Sequence, residues 1–155
     1  MKKIIPFSLL IFIFDQIIKL FIGYSITLNS SIIVIKDFFS ISNVHNYGAA
    51  FSILTGNRLL LILISFFALS FLYYYLLRGK TFRIVEMFIY SLLIGGILGN
   101  LFDRIFYGYV VDYLDFNILG YNFPVFNLAD ICIVISVILM FIDIVWSGRN
   151  ASNSR

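Results

Sequence analysis

The sequence predicts an all-α membrane protein, with four transmembrane helices and a small β-containing layer of extracytoplasmic loops. Charged residues make up only 12% of its 155 positions and apolar ones 61%, against about 25% charged in a soluble domain. Mean hydropathy is +1.01. Four apolar runs, about 4–23, 59–77, 84–102 and 127–146, each approach the roughly 20 residues that cross a hydrocarbon core. The connections between them carry turn and strand signals rather than low-complexity linker sequence. Together these predict one integral membrane domain over residues 1–155 and exclude a soluble two-domain enzyme.

The first run opens like a signal peptide, with Lys2 and Lys3 ahead of Ile4–Phe14. Asp15 interrupts it and no small-x-small cleavage site follows, so it is expected to be a retained span. In the connection 24–58, Ser31–Ile35 and Phe38–Asn43 are β-rich with Lys36-Asp37 between them, the pattern of a hairpin lying on the membrane surface. Phe38, Phe39 and Phe51 would give that layer apolar contact. The second run is nineteen uncharged residues bracketed by Arg58 and Arg78. The third carries Gly95, Gly96 and Gly99 just before Asn100, Asp103 and Arg104, and glycines at this spacing let helix backbones approach closely. The connection 103–126 holds Tyr107, Tyr109, Tyr113 and Tyr121, which suit an aromatic belt at headgroup level. The fourth run starts with Asn127 and Asp130, polar residues at the edge of an apolar stretch.

An even number of spans puts both termini on one side. Lys2, Lys3, Arg78, Lys80, Arg83, Arg149 and Arg155, seven of the eleven basic residues, flank that side, which the positive-inside rule makes cytoplasmic. The net charge of +3 is therefore an orientation signal, and no nucleic-acid partner is expected. One Cys, one His and one Glu leave no internal disulfide and no metal site built on several imidazoles.

An ionisable group at membrane depth costs about 2.5–3.5 kcal/mol on insertion scales. Asp15 and Lys19 lie four apart on one helix face. They form either a self-contained ion pair or a scaffold that orients polar groups on other helices. Asp103 and Arg104 either mark the interface or serve a site. Asp115 reads as a solvated loop acid or a local cap. Asp130 has no basic neighbour in sequence, and the loop joining the third and fourth spans can return Asp112 to it. Two close carboxylates share a proton. The ionised one can deprotonate a water while the protonated one hydrogen-bonds an amide carbonyl. Spacing alone leaves this peptidase pair in competition with a proton relay in a carrier. A Ser-Lys peptidase built on Ser52 and Lys19, and a Cys132–His45 pair, are further rivals.

Five blocks narrow the choice: Asp15-Gln16-Ile17-Ile18-Lys19, Asn46-Tyr47-Gly48-Ala49-Ala50-Phe51-Ser52, Gly95-Gly96-Ile97-Leu98-Gly99-Asn100-Leu101-Phe102-Asp103-Arg104, Gly108-Tyr109-Val110-Val111-Asp112 and Phe126-Asn127-Leu128-Ala129-Asp130. In this order they resemble the bacterial lipoprotein signal peptidases, the type II signal peptidases, from residue 15 to residue 130. The resemblance implies an aspartic endopeptidase of the bacterial cytoplasmic membrane. Such enzymes remove signal peptides from prolipoproteins, cutting before a Cys that bears a diacylglyceryl group. It also implies a catalytic pair at Asp112 and Asp130. Supporting residues would be Asp15, Lys19, Asn46, Gly48, Asn100, Asp103, Arg104 and Asn127, with Arg104 on substrate backbone and Asn127 holding the pair. No metal or other cofactor is implied. The expected partners are lipid-modified prolipoproteins, membrane lipid and globomycin-type inhibitors. The expected state is a monomer with its active site at the outer membrane face.

Overall fold

A computed structural model describes residues 3–49 and 53–153, with side chains as far as residue 146. Lys2, Phe51, Ser52, Arg149 and Arg155, which the sequence reading used, lie outside the described side chains. The elements run α1 (Ile4–Ser25), β1 (Ser31–Ile35), β2 (Phe39–Asn46), α2 (Arg58–Phe71, continuing as π-helix over Leu72–Leu77), α3 (Ile84–Phe106), β3 (Val110–Ile118), β4 (Tyr121–Asn122) and α4 (Leu128–Asn153). All four expected spans are present, long and apolar enough to cross a membrane. The third continues four residues past its expected end, so Asp103 and Arg104 stand on its last helical turn.

Helix α3 is the centre of the bundle and packs against α1, α4 and α2. Its glycines set the spacing. A Cβ on Gly95 would lie 2.7 Å from the Ile11 Cβ of α1, and one on Gly96 would lie 2.6 Å from the Ala129 carbonyl oxygen of α4. Lipid solvates apolar side chains, so burial here follows polarity and close packing more than hydrophobicity. The buried stripe of α1 accordingly includes Ser8, Asp15 and Lys19, while Ile5, Leu10, Phe14 and Phe21 are exposed.

The four strands form one antiparallel sheet in the order β1-β2-β3-β4. The expected hairpin is its first half, turning at Asp37 with φ of 59°. Strand β1 leaves Ile32, Ile33, Val34 and Ile35 more than half exposed along the sheet edge. Such an edge invites aggregation in water; beside a bilayer it is solvated by lipid.

The sequence reading treated 103–126 as a loop, and here the structure corrects it. Residues 110–118 form a nine-residue strand paired with β2, in the register Val44↔Asp112 and Ser40↔Asp115. Two further expectations fall with the loop. Tyr113 is only 5% exposed, so it packs in a core with Ile22 and Ile26 instead of joining a belt. Asp115 accepts a hydrogen bond from the Ser42 hydroxyl at 2.8 Å. Both changes have one cause, since pairing with β2 draws this segment into the sheet.

Candidate active site

The start of α4 accounts for most of the site. A helix leaves its first N–H groups without intrahelical partners, and here each of the first three has one. Leu128 N–H donates to the Tyr113 hydroxyl at 3.1 Å, Ala129 N–H to Asp15 Oδ1 at 3.0 Å, and Asp130 N–H to Asn127 Oδ1 at 3.0 Å. Asn127 N–H in turn donates to Asp130 Oδ2 at 3.2 Å. Asn127 and Asp130 thus form a reciprocal capping box. Asp15 on α1 supplies a second carboxylate at the same helix end, where negative charge is favoured.

The cap leaves the Asn127 amide N–H groups free to point elsewhere. Asn127 Nδ2 donates to Asp112 Oδ1 at 2.6 Å and to Asn100 Oδ1 at 3.2 Å. Strand β3 delivers Asp112 because Phe126 pairs with Leu114 immediately before α4 begins. One residue, Asn127, therefore bonds both carboxylates, Asp112 through its side chain and Asp130 through its main chain. Asn46 Nδ2 donates to the other oxygen, Asp112 Oδ2, at 2.8 Å, while its own Oδ1 accepts from Gly48 N–H at 2.8 Å. Asn46 and Asn127, the donors to Asp112 among the described residues, are themselves fixed.

Behind this pair lies a buried ion network. Lys19 Nζ sits 2.8 Å from Asp15 Oδ2 and 2.8 Å from Asp103 Oδ2, and donates to Asn100 Oδ1 at 3.0 Å. Asn100 Oδ1 thus takes two donors, so its amide nitrogen faces Asp130 Oδ1 and donates at 2.7 Å. Of the two readings of Asp15 and Lys19, the geometry supports the scaffold. Their charges orient Asn100 on α3 and cap α4. Gly99 makes room for this, since a Cβ there would lie 2.5 Å from Asp15 Oδ2. Lys19 Nζ is enclosed by these three groups, and Ser52, the nucleophile of the Ser-Lys reading, lies outside the described residues.

Arg104 donates through Nη2 to the Gly48 carbonyl at 2.9 Å and through Nη1 to the Asn100 carbonyl at 3.3 Å. Its Nε is buried and has no hydrogen-bond partner among the described residues. Asp112 is 2% exposed. Burial, and next the charge of Asp130, push its carboxyl up to about 7, against the pull of the Asn46 and Asn127 donors. A carboxyl so placed keeps a proton where an ordinary aspartate has lost it.

All eight supporting residues named from the sequence gather around Asp112 and Asp130. Gln16 was missed as a participant. It donates to Asp103 Oδ1 at 2.9 Å and to the Gly99 carbonyl at 3.3 Å. Its position three residues before Lys19, on one face of an apolar span, was the available signal. Tyr113 was missed too, and nothing local marks it. The remaining rival pair is not assembled: His45 stacks on Tyr109 with ring centroids 3.6 Å apart, while Cys132 packs on α4 against Gly96. Lys19 and Asp103 also border a cavity of about 480 Å³ between the C-terminal end of α1 and the sheet, which neither Asp112 nor Asp130 lines.

Comparison with known proteins points the same way. Residues 7–146 match the family model for signal peptidase (SPase) II. The lipoprotein signal peptidase of Halothermothrix orenii is 46% identical over 136 residues, 86% of this chain and 89% of that protein. That of Staphylococcus aureus is 37% identical over 143 residues, covering 92% and 88%. A bacterial membrane enzyme solved by the in meso method at 2.3 Å resolution is similar with a TM-score of 0.87 at 35% identity. The match covers 97% of this chain and 92% of that one.

Proposed function

Since the chain belongs to the signal peptidase (SPase) II family, we propose that it removes signal peptides from prolipoproteins through Asp112 and Asp130, cutting before a diacylglyceryl-modified Cys. It is a multi-pass bacterial membrane peptidase. The observation that carries the catalytic assignment is the bridging of both carboxylates by Asn127 at the end of the bundle where the sheet lies.

Asp112, buried and raised to about 7, is the proton-bearing partner, and Asp130 is the base. Water attacks the scissile carbonyl carbon and gives one proton to Asp130, while Asp112 gives its proton to the carbonyl oxygen. The gem-diol formed then returns a hydroxyl proton to Asp112. As the carbon–nitrogen bond breaks, the proton on Asp130 passes to the departing amine, and both carboxyls regain their starting states. Arg104 offers its unpartnered Nε–H to a backbone carbonyl of the substrate. No metal enters any step.

The surrounding geometry suits a substrate that is itself membrane-bound. The polar network gathers in the C-terminal half of α1, the C-terminal end of α3 and the N-terminal end of α4, beside the sheet, instead of running in file across the bilayer as a proton path would. With both termini cytoplasmic, that end is the outer face of the membrane. There the scissile amide reaches the carboxylates while signal helix and acyl chains stay in lipid. The enzyme acts as a monomer, and globomycin-type cyclic peptides are expected to block it. The deciding assay is a gel-shift cleavage of a diacylglyceryl-modified precursor beside its unlipidated form. Cleavage of the lipidated form alone is expected, and equal cutting of both would overturn the substrate assignment.

The position of the Asp112 proton fixes a pH dependence. The folded chain holds a proton that the unfolded chain releases near the ordinary 3.8. The stability owed to this group therefore falls as pH rises from about 4 to about 7 and is level above. Activity follows the same proton, so kcat/KM is expected to fall on an alkaline limb near pH 7. Asn46 pulls this value down, and Asn46→Ala should move the limb to higher pH. A limb that stays in place or moves to lower pH in that variant would remove Asp112 from the acid role.

A further inference from the structure

We infer that Arg58, at the first residue of α2, is a positioning residue for this reaction, acting through Arg104. The inference rests on the reading above in which Arg104 contacts substrate. Arg58 lies 46 residues from Arg104 in sequence, and no feature of the active-site motifs points to it. Its Nε donates to the Arg104 carbonyl at 2.6 Å and its Nη2 to the Ile105 carbonyl at 2.7 Å.

The end of α3 explains why these bonds matter. Tyr107 N–H and Gly108 N–H both donate to the Asp103 carbonyl, so the chain's own turn provides for that oxygen alone. The next two carbonyls are orphans of the helix terminus, and the Arg58 guanidinium meets both with two N–H groups in a fixed plane. Gly108, with φ of +86°, lies against that guanidinium: a Cβ there would stand 3.3 Å from Arg58 Nη1. A cation is favoured at a helix C-terminus and disfavoured at an N-terminus. Arg58 is therefore badly placed for its own helix and well placed for its neighbour's.

Arg104 is then held from two directions. Its side chain donates to the Gly48 carbonyl, and its main chain accepts from Arg58. Two points in the chain, ten residues apart, fasten on one residue whose Nε is left free. Without Arg58 the last turn of α3 loses two bonds, one at the residue that aims this donor and one at the next. Misplacement of a positioning group by about 1 Å can cost on the order of 100-fold in rate. Fraying confined to one turn should cost less.

A double-mutant cycle on the full-length enzyme, with a lipidated precursor, tests this. Arg58→Ala is expected to lower kcat/KM about 10-fold, with the same division between KM and kcat as Arg104→Ala. Added to Arg104→Ala, it should cost less than about 2-fold, because the residue it positions has gone. Arg58→Lys keeps the charge but lacks the planar pair of donors, and should fall between; it also carries the cycle if Arg58→Ala does not fold. Equal losses in both backgrounds, or wild-type kcat/KM in Arg58→Ala, would overturn the inference. Wild-type kcat/KM in Arg104→Ala would instead overturn the role given to Arg104.

Discussion

Asp112→Asn and Asp130→Asn are each expected to lower turnover of a lipidated precursor by about 10²–10⁴-fold, the range a positioned general acid or base supplies. Neither change alters the volume of the side chain, and Asn127 keeps its cap on α4 in the first variant. Asp112→Asn places an amide N–H₂ where both oxygens now accept N–H groups, so some loss of stability accompanies the loss of rate. The comparison is therefore made per folded molecule, by single-turnover cleavage on protein whose thermal transition has been measured. The double variant should be little worse than either single one, because the two carboxyls act as a unit. Near-normal turnover by either folded single variant would end the assignment of the pair.

Asp15→Ala is expected to act on the fold. The carboxylate is fully buried, 2.8 Å from Lys19 Nζ, and accepts the Ala129 N–H of α4 at 3.0 Å. Removing it leaves a buried ammonium with one carboxylate fewer and a helix N-terminus with an unanswered donor. Breaking a buried pair from one side costs about 3–5 kcal/mol, enough to take much of the stability of a small domain. The measurements are the yield of folded enzyme and its thermal midpoint in detergent, both of which should drop together with activity. If yield and midpoint hold while only the rate falls, Asp15 belongs to the chemistry and the scaffold account is wrong.

What could be read from the sequence follows the cost of misplacing a residue in lipid. Four apolar stretches, a carboxylate and an ammonium one helical turn apart, and glycines ahead of a polar cluster are all local signals. The hairpin at 31–46 was legible for the same reason, through its β-rich composition and its turn. Strand β3 was not, because its aromatic and acidic residues fit a belt and a solvated loop equally well until β2 is laid beside them. The convergence of Asp112 and Asp130 was chemically arguable from an unpaired carboxylate and became specific through the family resemblance. Other links were beyond local reading: Asp15 bonds Ala129 across 114 positions, Gln16 bonds Asp103 across 87, and Arg58 bonds Arg104 across 46. Such bonds depend on how helices are arranged around α3, which no single segment encodes.

The cap that Asp15 places on α4 joins the first described span to the fourth. A nascent chain that has delivered three spans to the bilayer holds Asp15, Lys19, Asp103 and Asp112, yet lacks the helix end on which the second carboxylate stands. Under the proposed pairing, a chain that stops short of α4 has no second carboxyl and is expected not to cut its substrate.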